Sequence, residues 1–141
     1  MRIWLFSTTV VLLSWPGAAT GAVIINEIAW MGSTQSANDE WIELYNSGSS
    51  AIAVTDWRLT DGQNLTITLT GASTIPAGGY AVLERTDDTS APGTAFHIYT
   101  GSLANTGATL QLLDADNNLR DQVAGGKNWD VIGGDNTTKE T

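Results

Sequence analysis

No cysteine occurs anywhere in the 141 residues. That removes a disulfide framework, lipid attachment at a processed cysteine and a thiolate nucleophile. Histidine is nearly missing too: His97 is the only one, it falls inside a strand-like segment, and no serine stands in a nucleophile-elbow context. Carboxylates are plentiful, but no spacing sets an acid against a base, so no enzyme and no catalytic residue is expected. Basic residues are scarce, six Lys and Arg against fifteen Asp and Glu, for a net charge of −9. A polyanion would meet repulsion in place of the counterion release that drives nucleic-acid binding, so no nucleic-acid partner is expected. An acidic surface remains compatible with solubility, with cations and with neutral polymers such as glycans.

Long apolar runs are also wanting. Ile3 to Trp15 falls short of the roughly 20 residues that cross a bilayer comfortably. Preceded by Met1-Arg2 and followed by Pro16 and the small residues Gly17 to Ala22, it has the three parts of a secretory signal peptide. The predicted leader is 1–22, cut after Gly21 or Ala22, with a retained N-terminal anchor as the alternative. Its removal takes Arg2 and no acid, which moves the charge from −9 to −10. The remaining domain, 23–141, is then secreted or held at the cell envelope, without a transmembrane segment or disulfides, and must be stable through its core alone.

What is present fits one all-β domain. The chain is 42% hydrophobic and 15% charged, with fifteen glycines and six tryptophans, a composition suited to many tight turns and unlike a helical bundle rich in Glu, Lys and Arg. Val23 to Ala29 is β-branched and apolar, but Asn26 and Glu27 adjoin, which breaks the alternation and predicts a bulge. After the polar loop Gly32 to Asn38, Glu40 to Asn46 alternates cleanly, with Ile42 and Leu44 inward and Trp41, Glu43 and Tyr45 outward.

Further strands are predicted over Ala51 to Asp61, with Trp57 and Leu59 buried, and over Leu65 to Leu69. Another covers Tyr80 to Glu84, where Ala81 and Leu83 oppose Tyr80 and Val82, and a short one Phe96 to Thr100. Thr86 to Thr94 is the longest loop. Thr109 to Leu113 and Leu119 to Ala124 form a hairpin across Asp114 to Asn118, and Trp129 to Ile132 covers one open end of the core. Strands at this spacing without a helix predict an antiparallel sandwich.

Several segments in order carry a resemblance. They are Ile25-Asn26-Glu27-Ile28, Glu40-Trp41-Ile42-Glu43-Leu44-Tyr45-Asn46, Trp57 with Leu59, and Ile75-Pro76-Ala77-Gly78-Gly79-Tyr80. Leu83, Asn105 with Gly107, Leu110 with Leu112, and Asp121-Gln122-Val123 complete the set. Together they resemble the lamin-tail domain of bacterial secreted proteins. The resemblance implies an immunoglobulin-like antiparallel β-sandwich that acts as an interaction module. In that family the closing strand would follow Gly134 to Thr141, so either that strand is short or the sequence is a fragment.

Four candidate sites stand beside their plainer readings. Glu27, Asp39, Glu40 and Glu43 would make a hard-cation site if they converged; otherwise Glu43 faces solvent and Asp39 with Glu40 caps a loop. Asp114 to Asn118, with Asp121, has calcium-type oxygens but lacks the loop's glycine and terminal glutamate, and Asn117-Asn118 suits a left-handed turn better. Asn64-Leu65-Thr66 and Asn136-Thr137-Thr138 match the glycosylation sequon, which matters only in a eukaryotic secretory pathway. Trp41, Glu43 and Tyr45 would form an interaction surface, either for a sugar ring or for a partner's apolar surface, or would pack under a loop such as Gly32 to Asn38 or be covered by a neighbouring domain. No metal or cofactor is expected. The reading is an exported, non-catalytic attachment module for an unknown protein or surface partner. The alternative is a glycan- or calcium-binding accessory domain of a secreted hydrolase.

Overall fold

The computed structural model describes residues 22–139. The predicted leader, 1–22, lies outside them except for Ala22. Ten strands follow in order: β1 (Val23–Ala29), β2 (Trp41–Asn46), β3 (Ile52–Ala53), β4 (Arg58–Thr60), β5 (Thr66–Thr68), β6 (Thr74–Ile75), β7 (Tyr80–Arg85), β8 (His97–Tyr99), β9 (Thr109–Leu113) and β10 (Leu119–Ala124). They form one four-stranded sheet in the order β1-β2-β7-β8, a second in the order β10-β9-β4-β5, and the small pair β3-β6. The inner rows of the two large sheets meet in one core, an immunoglobulin-like β-sandwich as predicted.

Side-chain alternation accounts for the packing. Ile42 and Leu44 of β2, Leu83 of β7, Leu59 of β4, and Leu110 and Leu112 of β9 are completely buried, and Trp57 nearly so. Each such aliphatic side chain contributes about 1.5–3 kcal/mol on burial. The bulge also falls where alternation breaks. Ile25 pairs with Leu44 and Glu27 with Glu43, leaving Asn26 as the extra residue in β1.

Asn46, at the end of β2, ties two turns to the sheet. Its buried amide donates to the carbonyls of Ser50 (2.8 Å), Ile75 (3.0 Å) and Pro76 (3.0 Å), and its own side-chain oxygen accepts from the Gly48 N–H at 2.9 Å. Of the expected cover Trp129 to Ile132, Trp129 alone is buried and closes one end, while Val131 and Ile132 are exposed; the Trp129 indole donates to the Ala104 carbonyl at 2.8 Å and stacks on Trp30 with centroids 6.0 Å apart. Gly107 is required beside it, because at φ 91° a Cβ would stand 1.8 Å from the Gly126 carbonyl oxygen.

Two expectations need correction. Ala51 to Asp61 is not one strand: Asp56 takes φ 62° and the chain turns from β3 into β4, which belong to different sheets. Aspartate tolerates that left-handed conformation better than most residues. Nor is the sandwich antiparallel throughout, since β8 runs parallel to β7. A parallel neighbour obliges the chain to travel back along the sheet before pairing, which explains why the loop between them is long. Among the described residues no helix is long and apolar enough to cross a membrane.

Candidate functional site

The outward row of β2 is the sequence-predicted surface, and pairing on both sides defines its neighbours. Trp41 lies between Ala29 and Glu84, Glu43 between Glu27 and Val82, and Tyr45 between Ile24 and Tyr80. All three predicted residues are half-buried. Tyr45 and Tyr80 stack, with ring centroids 4.7 Å apart and planes inclined at 28°, and Tyr80 is 57% exposed. Glu43 accepts a hydrogen bond of 2.7 Å from the side-chain amide of Asn26, so the bulge residue orients the carboxylate in the middle of the row.

The two ends of this face differ. At the Trp41 end the β7–β8 loop folds back over the sheet, and the buried Glu84 carboxylate accepts from the backbone N–H groups of Ser90 (2.7 Å) and Ala91 (3.2 Å). At the Tyr45 end the tyrosine pair is open. The loop after β7 is thus fastened to this end of the face at Glu84; from sequence Gly32 to Asn38 was the loop considered. Tyr80 is the residue that sequence reading left out of the site. Alternation already placed it on the outward side of its strand; the β2–β7 register, which seats it on Tyr45, is not a local property.

The four acids at the start of the domain are not brought together. Glu40 has the inward parity of Ile42 and Leu44, while Glu43 points the other way. Glu40 pairs with Arg85 at 3.1 Å and accepts from the Leu103 N–H at 2.9 Å. Burial nevertheless raises its pKa above the ordinary value, the Leu103 amide and Arg85 acting in the opposite direction. Tyr99, buried nearby, has its acidity suppressed by burial and by the charge of Glu40. Asp39 accepts from the Ser33 hydroxyl and caps the loop, and Glu27 is exposed. Among the described residues no three acidic or histidine side chains group in a way suited to hold a metal ion.

Asp114 serves the hairpin turn. It accepts from the backbone N–H groups of Asp116 (3.0 Å) and Asn118 (2.9 Å), and Asn117 takes φ 68° as the turn reading requires. The Asn118 side chain, which also donates to it, is the foremost cause holding this carboxyl below its usual range. His97 is half-buried opposite Leu83, and burial lowers its pKa, favouring the neutral ring. Asn64 and Asn136 of the two sequons are both exposed.

A model of the family described as Lamin Tail Domain matches residues 16–127, which takes in every strand of both sheets. No curated protein matches the chain.

Proposed function

The chain belongs to the lamin tail domain family, non-enzymatic immunoglobulin-like modules, and from that premise we propose that it is an exported attachment module. It binds a protein or surface partner at or outside the cell envelope through the outer face of β2 and β7. The observation that carries this reading is the open Tyr45–Tyr80 stack, continued along β2 by Glu43 and Trp41. Aromatic side chains are enriched at interfaces because they bury large area at low entropic cost.

Export is supported by the charged, apolar and small-residue succession in residues 1–22. Fused to a reporter that is active only outside the cytoplasm, those residues are expected to give activity that a charged substitution in the apolar run abolishes. Attachment is tested by sedimenting the purified chain with envelopes of the cells that encode it. Wild type is expected to pellet, and Tyr80→Ser, of unchanged melting temperature, to stay in the supernatant; equal partitioning of the two would refute the role of this face.

The same flat aromatic pair favours the second reading, a glycan-binding accessory domain. Retention on insoluble polysaccharide that Tyr80→Ser or Trp41→Ala removes would select it over a protein partner. The calcium version has less behind it, because Glu40 is committed to Arg85 and Leu103 and Asp114 to its turn amides.

A further inference from the structure

On the outer face of the first sheet, side chains from three strands form a lattice around Glu43. Across β2 and β7 it stands opposite Val82, next to the Tyr45–Tyr80 pair, and across β1 and β2 it stands opposite Glu27. Residues so paired have Cβ atoms about 5 Å apart, and diagonal neighbours stay within reach of long side chains, so one extended group can touch Tyr80, Val82 and Glu43 together. Tyr80 keeps 57% of its surface exposed while stacked on Tyr45, and Val82 is half-buried. The Asn26 amide donates to Oε1 of Glu43 at 2.7 Å, and Oε2 takes no hydrogen bond among the described residues.

The charge of this lattice is what describes an occupant. Glu27 and Glu43 are like charges directly opposed across two strands, an arrangement that by itself destabilises a sheet. The ion pairs among the described residues are Arg85 with Glu40 and Arg120 with Asp114, and neither reaches these two acids. Arg85 shares the inward row of Leu83; no Lys, Arg or His stands in the outward rows of β1, β2 and β7. The β7–β8 loop at the Trp41 end adds Asp87 and Asp88. Lys139 donates to the Met31 carbonyl and the Asn136 side chain, each at 2.7 Å. The second sheet differs, with Arg58 in β4 and Arg120 in β10.

We infer that this face seats an arginine side chain of a protein partner. The guanidinium lies on the exposed side of the Tyr80 ring and donates to Oε2 of Glu43, the methylene stem runs over Val82, and Glu27 adds its charge. Guanidinium is the cation that suits both contacts: it is planar, so it stacks on an aromatic face, and its several N–H groups match a carboxylate. The inference rests on attachment through the tyrosine face and adds the partner's chemistry. It sets a protein with an exposed arginine against a neutral glycan, which would gain no charge attraction from the opposed carboxylates.

The probe is a labelled peptide alternating Gly with Arg, titrated into the full chain by fluorescence anisotropy beside the same peptide with citrulline, which keeps the shape and loses the charge. Saturable binding of the arginine peptide is expected, with NMR shifts at the rings of Tyr45 and Tyr80, and the citrulline peptide is expected to bind at least about tenfold more weakly. Glu43→Gln, which keeps an acceptor for Asn26, and Tyr80→Ser are each expected to weaken the arginine peptide by at least about tenfold. Asp116→Asn, the same loss of charge at an exposed turn between β9 and β10, leaves it unchanged. The inference is overturned by no binding, by equal binding of the citrulline peptide, or by a loss in Asp116→Asn as large as that in Glu43→Gln. Its failure is distinct from failure of the attachment reading: envelope binding that Tyr80→Ser abolishes and Glu43→Gln leaves intact would overturn the arginine and keep the face.

Discussion

Asn46 is the residue whose identity the scaffold depends on most narrowly, because three carbonyls from two turns share its amide. In Asn46→Leu the buried Ile75 carbonyl and the part-buried carbonyls of Ser50 and Pro76 lose their donor, at about 1–3 kcal/mol for a buried group left unsatisfied. Urea denaturation is expected to show a loss of at least about 2 kcal/mol on that basis; a change lost in the error would mean that water replaces the amide. Trp57 depends on bulk. It is buried, with the Arg120 guanidinium 5.4 Å from its ring centroid, and Trp57→Ala is expected to cost about 3–5 kcal/mol, much of a small domain's stability. A soluble variant with an unchanged melting temperature would remove Trp57 from the core.

Two carboxyls give the pH dependence opposite signs. At Asp61 partial burial acts upward but is outweighed by the N–H groups of Leu65, Gln63 and Asn64, so the pKa lies below the ordinary aspartate value of 3.8. That contribution is present above the unfolded pKa and is lost as pH falls through the folded one. Glu40, raised above 4.5, favours the folded state most when protonated, so its share declines as pH rises from 4.5 toward its folded pKa. Melting curves of Asp61→Asn are expected to fall less steeply than wild type below pH 3.8; an identical slope would show that the turn amides do not act through this carboxylate. At this scale the sequence was legible where alternation is strict, as at Ile42 and Leu44. It was not legible at Glu84, an outward-row acid buried by a loop whose path depends on a distant strand pairing.

Among elements, the β7–β8 loop shows what a parallel pairing does to its surroundings. Because β8 lies parallel to β7, residues 86–96 must double back, and Glu84 fastens them by accepting from Ser90 and Ala91. Glu84→Ala is expected to speed hydrogen exchange at those two amides while the β2–β7 amides keep their protection. Unchanged exchange would mean that the loop is held by other contacts. The hairpin of β9 and β10, the regular row from Leu65 to Leu69 and the bulge in β1 were all readable, since each is set by residues adjacent in sequence. The division of Ala51 to Asp61 was not, because the turn at Asp56 has no glycine or proline and its apolar spacing also suits a continuous strand.

For the whole molecule, the sandwich leaves the tyrosine face of the first sheet as a surface on which core packing makes no demand. The family resemblance reached the fold and the module class from sequence. It did not reach that surface in full, because Tyr80 meets Tyr45 only through the β2–β7 register. The central claim is that the outer face carries attachment. The most direct test is hydroxyl-radical footprinting of the chain free and bound to envelopes. Oxidation of Tyr45 and Tyr80 is expected to fall on binding while that of Leu119, exposed on the second sheet, is unchanged; a bound chain whose Tyr80 is oxidised as fast as in the free state would contradict it.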